Sequence, residues 1–164
     1  MSKIITVIVM VAIIAVLFLS LSNWQNMTVV VKGNTTKEPI AIVLGKFQDS
    51  DCGMVIEDLT YASQVVAPNG DTWFFHDHGG MVNWLKDKPF KDKATIWVMS
   101  KDTKRWIDGR AAWYSRVENT PMLYGFGAYE YKKQNLIDFK TMSNYMLRGE
   151  HLGNPHIKKQ LLGQ

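Results

Sequence analysis

Gln64-Val65-Val66-Ala67-Pro68-Asn69-Gly70-Asp71-Thr72-Trp73-Phe74-Phe75 sets two short runs of strand-forming residues on either side of a turn with Asn-Gly at its centre. Asn and Gly accept the positive φ of a tight hairpin turn, so residues 64–67 and 72–75 read as a β-hairpin. Downstream, residues 79–88 place Met81, Trp84 and Leu85 at i, i+3 and i+4, one face of a short helix. Residues 95–99 (TIWVM) read as the next strand. Upstream, the apolar run 40–44 (IAIVL) has strand length and is followed by a loop from Gly45 to Gly53.

The second half repeats this order more loosely. Residues 111–115 (AAWYS) are strand-like, residues 124–131 begin Gly-rich and continue as an aromatic strand, and residues 134–148 form a helix with Phe139, Met142 and Met146 on one face and Gly149 as its stop. The expected class is therefore α+β, a single domain of two similar halves. Residues 24–39 read as a polar tether with one β-prone patch at 27–31. Residues 151–164 lack apolar periodicity and read as a frayed, flexible tail.

At the amino terminus, residues 4–21 (IITVIVMVAIIAVLFLSL) contain no charge, Gly or Pro. At about 1.5 Å per residue such a helix is long enough for a hydrocarbon core. Lys3 gives the positive cytoplasmic flank and Trp24 an interfacial aromatic, so residues 1–23 read as a membrane anchor with the domain on the outer side. A cleaved signal peptide is the competing reading, with Ser20-Leu21-Ser22 as a small-x-small site. No cysteine directly follows the run, which excludes a lipoprotein anchor.

Composition excludes several classes. The chain has 164 residues, a globular balance of apolar and charged side chains, and a formal net charge of +4. Lys and Arg are interleaved with Asp and Glu as on a solvated mixed surface, so no nucleic-acid partner is expected. A single cysteine rules out an intramolecular disulfide, a zinc ribbon and a Cys-x-x-Cys redox site.

That cysteine lies in Asp49-Ser50-Asp51-Cys52-Gly53-Met54-Val55-Ile56. A lone thiol in an oxidising compartment invites oxidation. Asp49, Asp51, Glu57 and Asp58 disfavour a free thiolate, which makes nucleophilic catalysis an awkward role. A metal cation reverses this, because it displaces the thiol proton on coordination. Thiolate and thioether select Cu(I), and Gly53 permits the turn that brings Cys52 and Met54 together. The second cluster is Phe75-His76-Asp77-His78-Gly79-Gly80-Met81, where His76 and His78 alternate at a strand end and point to the same side, as metal ligands or as a solvated pair. Met81 is expected to pack with Trp84 and Leu85.

DCGMVIED, the hairpin ending in TWFFHDHGGMVNWL, and ATIWVMSKDTKRWIDGRAAWYSRVENTPMLYGFGAYEYK together resemble the nitrous oxide reductase accessory protein (NosL) family over about residues 46–133. The most specific elements are the Cys-Gly-Met step at Cys52, the aromatic-rich segment 108–114, and Met122 followed by a Gly-containing aromatic stretch. The resemblance implies two strand-strand-helix-strand halves, residues 40–150 as a copper-binding domain, and an extracytoplasmic metallochaperone that carries Cu(I) to a cuproenzyme, nitrous oxide reductase, in a denitrification pathway. It also implies Cys52, Met54 and Met122 as ligands by match to the family's motifs. Many members are lipoproteins and carry Cys-x-x-Cys before Gly-Met, where this chain has an apolar anchor and Asp49. His76 and His78 fall where many members have Asp or apolar residues, and they stand on their chemistry alone.

The resulting expectation is a single-pass protein of the cytoplasmic membrane with its domain in the periplasm or outside the cell. It binds one Cu(I) through Cys52 and Met122, with Met54, His76 or His78 completing the site, and its role is transfer, not catalysis. Two other classes stay open: a zinc hydrolase using Cys52, His76 and His78, and a membrane interaction module with an inert cysteine.

Overall fold

A computed structural model of the chain describes residues 2–23 and 27–163, with the backbone alone for residues 2, 3 and 20–23. In chain order, α1 (Ser2–Asn23) and β1 (Val30–Val31) precede the hairpin β2 (Ser63–Val66) and β3 (Thr72–Phe75), followed by α2 (His78–Leu85), β4 (Thr95–Met99) and β5 (Trp106–Asp108). Five antiparallel strands form one sheet in the order β1-β3-β2-β4-β5. A three-stranded sheet, order β7-β6-β8, contains β6 (Trp113–Tyr114), β7 (Ala128–Tyr129) and β8 (Ile137–Asp138), and is followed by α3 (Phe139–Leu147) and α4 (Pro155–Leu162). The class is α+β.

The hairpin forms as its turn residues dictate. Gly70 has φ +87°, and a Cβ there would stand 3.0 Å from the Asn34 backbone, so both conformation and space require glycine. Every residue of β2 is buried, because α2 covers one face and a second small core covers the other. On the first face Met81, Val82 and Leu85 of α2 join Val65, Phe75, Ile96, Val98, Tyr114, Phe126 and Met142. Trp84 is half-buried and packs its ring on Trp73 and Phe75, at 5.0 and 5.3 Å between centroids. The second core is Phe47, Ile56 and Phe74, flanked by Val31, Ile40, Ile42 and Leu59.

Five expectations need correction. Residues 40–44 form no strand: the Gln64 side chain accepts from the Ile40 amide at 2.9 Å and donates to its carbonyl at 2.8 Å, and so satisfies the backbone where a strand partner would have. The tether is docked to the sheet, since Val30–Val31 pairs with β3 and Thr28 bridges Phe47. The helix expected over 134–148 begins at Phe139, where Asp138 caps it by accepting from the Thr141 amide at 2.7 Å. The tail carries α4, whose ends follow the rules for isolated caps: Asn154 accepts from the His156 amide, Pro155 opens the helix and Gly163 closes it at φ +70°. The first half has the strand-strand-helix-strand order, β2-β3-α2-β4. The second does not: α3 follows β8 and is succeeded by α4, with no strand after it among the described residues.

Residues 4–19 of α1 expose an almost wholly apolar surface on all sides. Among the described residues no helix is long and apolar enough to cross a membrane. The remainder of the expected span, side chains 20–21, and the interfacial Trp24 lie outside the described residues.

Candidate metal centre

Asp49 organises the cysteine loop. Its carboxylate is buried, Oδ1 accepts from the amides of Asp51 at 2.7 Å and Cys52 at 3.1 Å, and its own amide donates to the Met54 carbonyl at 2.8 Å. An Asp that accepts from the second and third amides after it closes a tight turn, and Gly53 completes this one at φ +76°. The turn is fixed to the end of β3 because the Ser50 amide donates to the Phe74 carbonyl at 2.9 Å. It rests on α2, where Asn83 Nδ2 donates to Asp51 Oδ1 at 3.1 Å.

His76 directly follows β3 and meets this turn. Asp49 Oδ2 accepts from the His76 amide at 2.8 Å and lies 2.7 Å from His76 Nδ1. Cys52 Sγ lies 3.8 Å from the same nitrogen. One ligand atom from each of Asp49, Cys52 and His76 falls within 4.8 Å of the others, a metal-sized cluster on a rigid strand end. His76 Nε2 is buried and has no hydrogen-bond partner among the described residues.

Burial pushes the Cys52 thiol up, the Met54 amide opposes this, and the charges of Asp49 and Asp51 push it further up. Burial acts to raise the Asp49 carboxyl, but the hydrogen bonds from His76 and from the Cys52 and Asp51 amides outweigh it and hold the group below the usual carboxylate range.

The structure brings together Cys52 and His76 but not His78. The chain turns at Asp77, and His78 becomes the first residue of α2, so strand alternation does not carry through the pair. Its imidazole is fully buried, with Nδ1 at 2.7 Å from Ser63 Oγ and the Tyr114 ring edge-on at 6.0 Å. Burial pushes its pKa down to about 3. Met81 is core, as expected.

Met54 is exposed on the outer side of the turn. Met122 is half-buried, and its amide donates to Asp77 Oδ2 at 3.0 Å, beside His76. Asp77 Oδ1 also caps α2 through the Gly79 amide at 2.9 Å. Tyr124 packs on Gly79 so closely that a Cβ there would stand 2.6 Å from the ring. A cleft of about 410 Å³, lined by Asp58, Thr60, Tyr61, His76, Asn119 and Thr120, opens beside the cluster.

Asp49 is the member of the cluster that charge and ligand softness do not single out. Its signal in the sequence is the turn pattern, an Asp three residues before Cys-Gly. No protein-family model matches the chain, and no curated protein matches it in sequence.

Proposed function

We propose that this protein is a membrane-anchored, extracytoplasmic metallochaperone that carries one Cu(I) on Cys52 and His76, with Met122 or Met54 as a further sulfur ligand. The observation that carries the reading is the meeting of Cys52 Sγ and His76 Nδ1 at 3.8 Å on a turn braced by the buried Asp49 carboxylate. Thiolate and imidazole suit Cu(I), and the half-exposed cysteine and exposed Met54 leave the metal open to stepwise ligand exchange with an acceptor. The likeness of the Cys-Gly-Met, Met122 and aromatic segments to the NosL family favours nitrous oxide reductase as that acceptor. The anchor rests on the charge-free apolar run of residues 4–21 in the sequence.

Hydrolysis on zinc has less support. It needs His78 as third ligand, and His78 lies outside the cluster, with its Nδ1 at Ser63 Oγ. Its candidate base, Asp77, is occupied by the Gly79 and Met122 amides.

Competition of the full chain in detergent micelles against a chromophoric Cu(I) chelator tests the site. Transfer of about one Cu(I) per chain, with much weaker retention of Zn(II), is expected; no transfer, or equal hold on zinc, overturns the reading. Recovery in the membrane fraction tests the anchor, and a soluble form starting at Asn23 would overturn it.

A further inference from the structure

Little chain separates the apolar helix from the domain. Seven residue steps lead from Asn23, the last residue of α1, to Val30 of β1, at most about 25 Å when fully extended. A domain of this size is on the order of 35 Å across, so one of its faces looks onto the surface in which α1 is held. Val30 is exposed and pairs with Trp73 of β3, so the two side chains share one face of the sheet. Trp73 stacks on Phe90 at 5.5 Å between ring centroids and packs on Trp84 at 5.0 Å, and all three rings are half-buried. Lys88 Nζ stands 4.2 Å from the centre of the Trp84 ring. Around Phe90, residues 86–93 (KDKPFKDK) carry four lysines and two aspartates. The same segment walls a cleft of about 180 Å³ whose apolar lining includes Val82, Leu85 and Phe139, and where Lys86, Lys91 and Arg110 outnumber one carboxylate, Asp92. Arg110 is fixed there, since its guanidinium lies 5.4 Å from the centre of the Phe139 ring and donates to the Lys91 carbonyl at 2.6 Å. Ser143 Oγ, in the lining of this cleft, is buried with no hydrogen-bond partner among the described residues.

We infer that this face, the Trp73, Trp84 and Phe90 rings with the lysines of residues 86–93 and Arg110, lies on the anionic phospholipid surface of the membrane that holds α1. The inference rests on the anchor reading of residues 1–23 and extends it from the helix to the domain; it is independent of copper. Tryptophan favours the boundary between headgroups and hydrocarbon, because its ring is apolar and its N–H still needs a partner. Lysine stems cover apolar surface while their ammonium groups reach phosphate. The excess of cations over carboxylates selects an anionic surface rather than a neutral one. A second copy of the chain fits less well, since a two-fold interface repeats one patch on both sides and would bring this basic face against itself. With a helix in the bilayer and a face on its surface, the domain has two attachments to one plane, and its orientation is fixed.

Fluorine NMR of the full chain, carrying 5-fluorotryptophan at its six tryptophans and held in lipid nanodiscs with gadolinium-chelating headgroups, reads the contact ring by ring. Each signal is identified by its loss in the matching Trp→Phe variant. Trp24 reports insertion of the helix, and Trp106, on the opposite edge of the five-stranded sheet from β1, is the distant control. In nanodiscs of phosphatidylcholine with phosphatidylglycerol, Trp73 and Trp84 should relax several-fold faster than Trp106. In phosphatidylcholine alone that difference should collapse while Trp24 stays broadened. Each lysine removed should lower the docked-to-free ratio about fivefold, so Lys88→Gln, Lys91→Gln and Lys93→Gln together should lower it roughly 100-fold. Unchanged shifts at Trp97 and Trp106 show that the triple variant is folded, and the neutral-lipid arm tests the same point with no substitution. A broadened Trp24 with Trp73 and Trp84 no faster than Trp106 overturns the inference and leaves the anchor standing. Equal broadening of Trp84 in both lipids also overturns it, because the basic residues then select nothing. A Trp24 signal untouched by the gadolinium overturns the anchor and the inference together.

Discussion

Asp77 Oδ2 accepts the Met122 amide at 3.0 Å across 45 residues of sequence. Asp77 is fully buried, and its other oxygen caps α2, so one carboxyl group joins the His76 segment to the loop that carries the candidate thioether. The Met122 loop is thereby held at the β3–α2 junction, next to the cysteine turn, by a bond that neither half of the chain could make alone.

Removing that carboxyl should cost both tasks. Asp77→Ala deletes a helix cap, about 1 kcal/mol, and leaves the Met122 amide unpaired, about 1–3 kcal/mol. A loss of about 2–4 kcal/mol in urea unfolding, together with weaker Cu(I) binding, is expected. Stability within 0.5 kcal/mol, on the order of a neutral surface change, would mean that the loop is held by something else.

Cys52→Ser should separate binding from folding. The side chain is half-exposed in a turn whose hydrogen bonds come from Asp49 and the backbone, so unfolding free energy should change by less than about 1 kcal/mol, while Cu(I) binding falls to near nothing. A large stability loss with copper retained would identify an inert, buried-type cysteine instead.

The hairpin, α2 and β4 were legible in the sequence because turn chemistry and periodicity agree there: Asn69-Gly70 fixes the turn, and Met81 and Leu85 define a buried face. Residues 40–44 were misleading because apolar content marks burial, not pairing, and the partner of Ile40 is the Gln64 side chain, 24 residues away. α4 buries none of its residues, so no apolar stripe announces it, although Asn154-Pro155 and Gly163 are ordinary cap signals. Cys52 and His76 could be picked out by their donor atoms. Their meeting could not, because it depends on Asp49, whose importance lies in four hydrogen bonds rather than in its charge.

His78 should make the metal-free protein acid-sensitive. Its folded pKa is lowered by burial to about 3, whereas in the unfolded chain it takes a proton below about pH 6.5. The unfolded state therefore binds more protons between these values, so stability is full above about pH 6.5 and falls as the pH drops toward 3, with a slope approaching 1.4 kcal/mol per unit, on the order of one proton. His78→Gln keeps a hydrogen-bonding group for Ser63 and does not titrate. Urea unfolding between pH 6.5 and 4.5 should show a shallower pH slope for the variant by about that amount; equal slopes would show that His78 is protonated in the folded protein.

Leu123 follows Met122 with φ +58° and an exposed side chain. For a residue with a Cβ the left-handed region costs about 1–2 kcal/mol, and an exposed leucine recovers little of this through packing. Glycine removes that strain and loses about 0.5–1 kcal/mol to its greater freedom in the unfolded chain. Asparagine tolerates the same conformation with less of that loss. Leu123→Asn and Leu123→Gly should therefore be neutral or stabilising by up to about 1 kcal/mol, opposite to the usual effect of truncating a leucine, and Cu(I) affinity in the isolated protein should be unchanged. If both variants lose more than about 1 kcal/mol, the Leu123 side chain supports the loop, and the positive φ is the consequence of that packing rather than strain held at the Met122 loop.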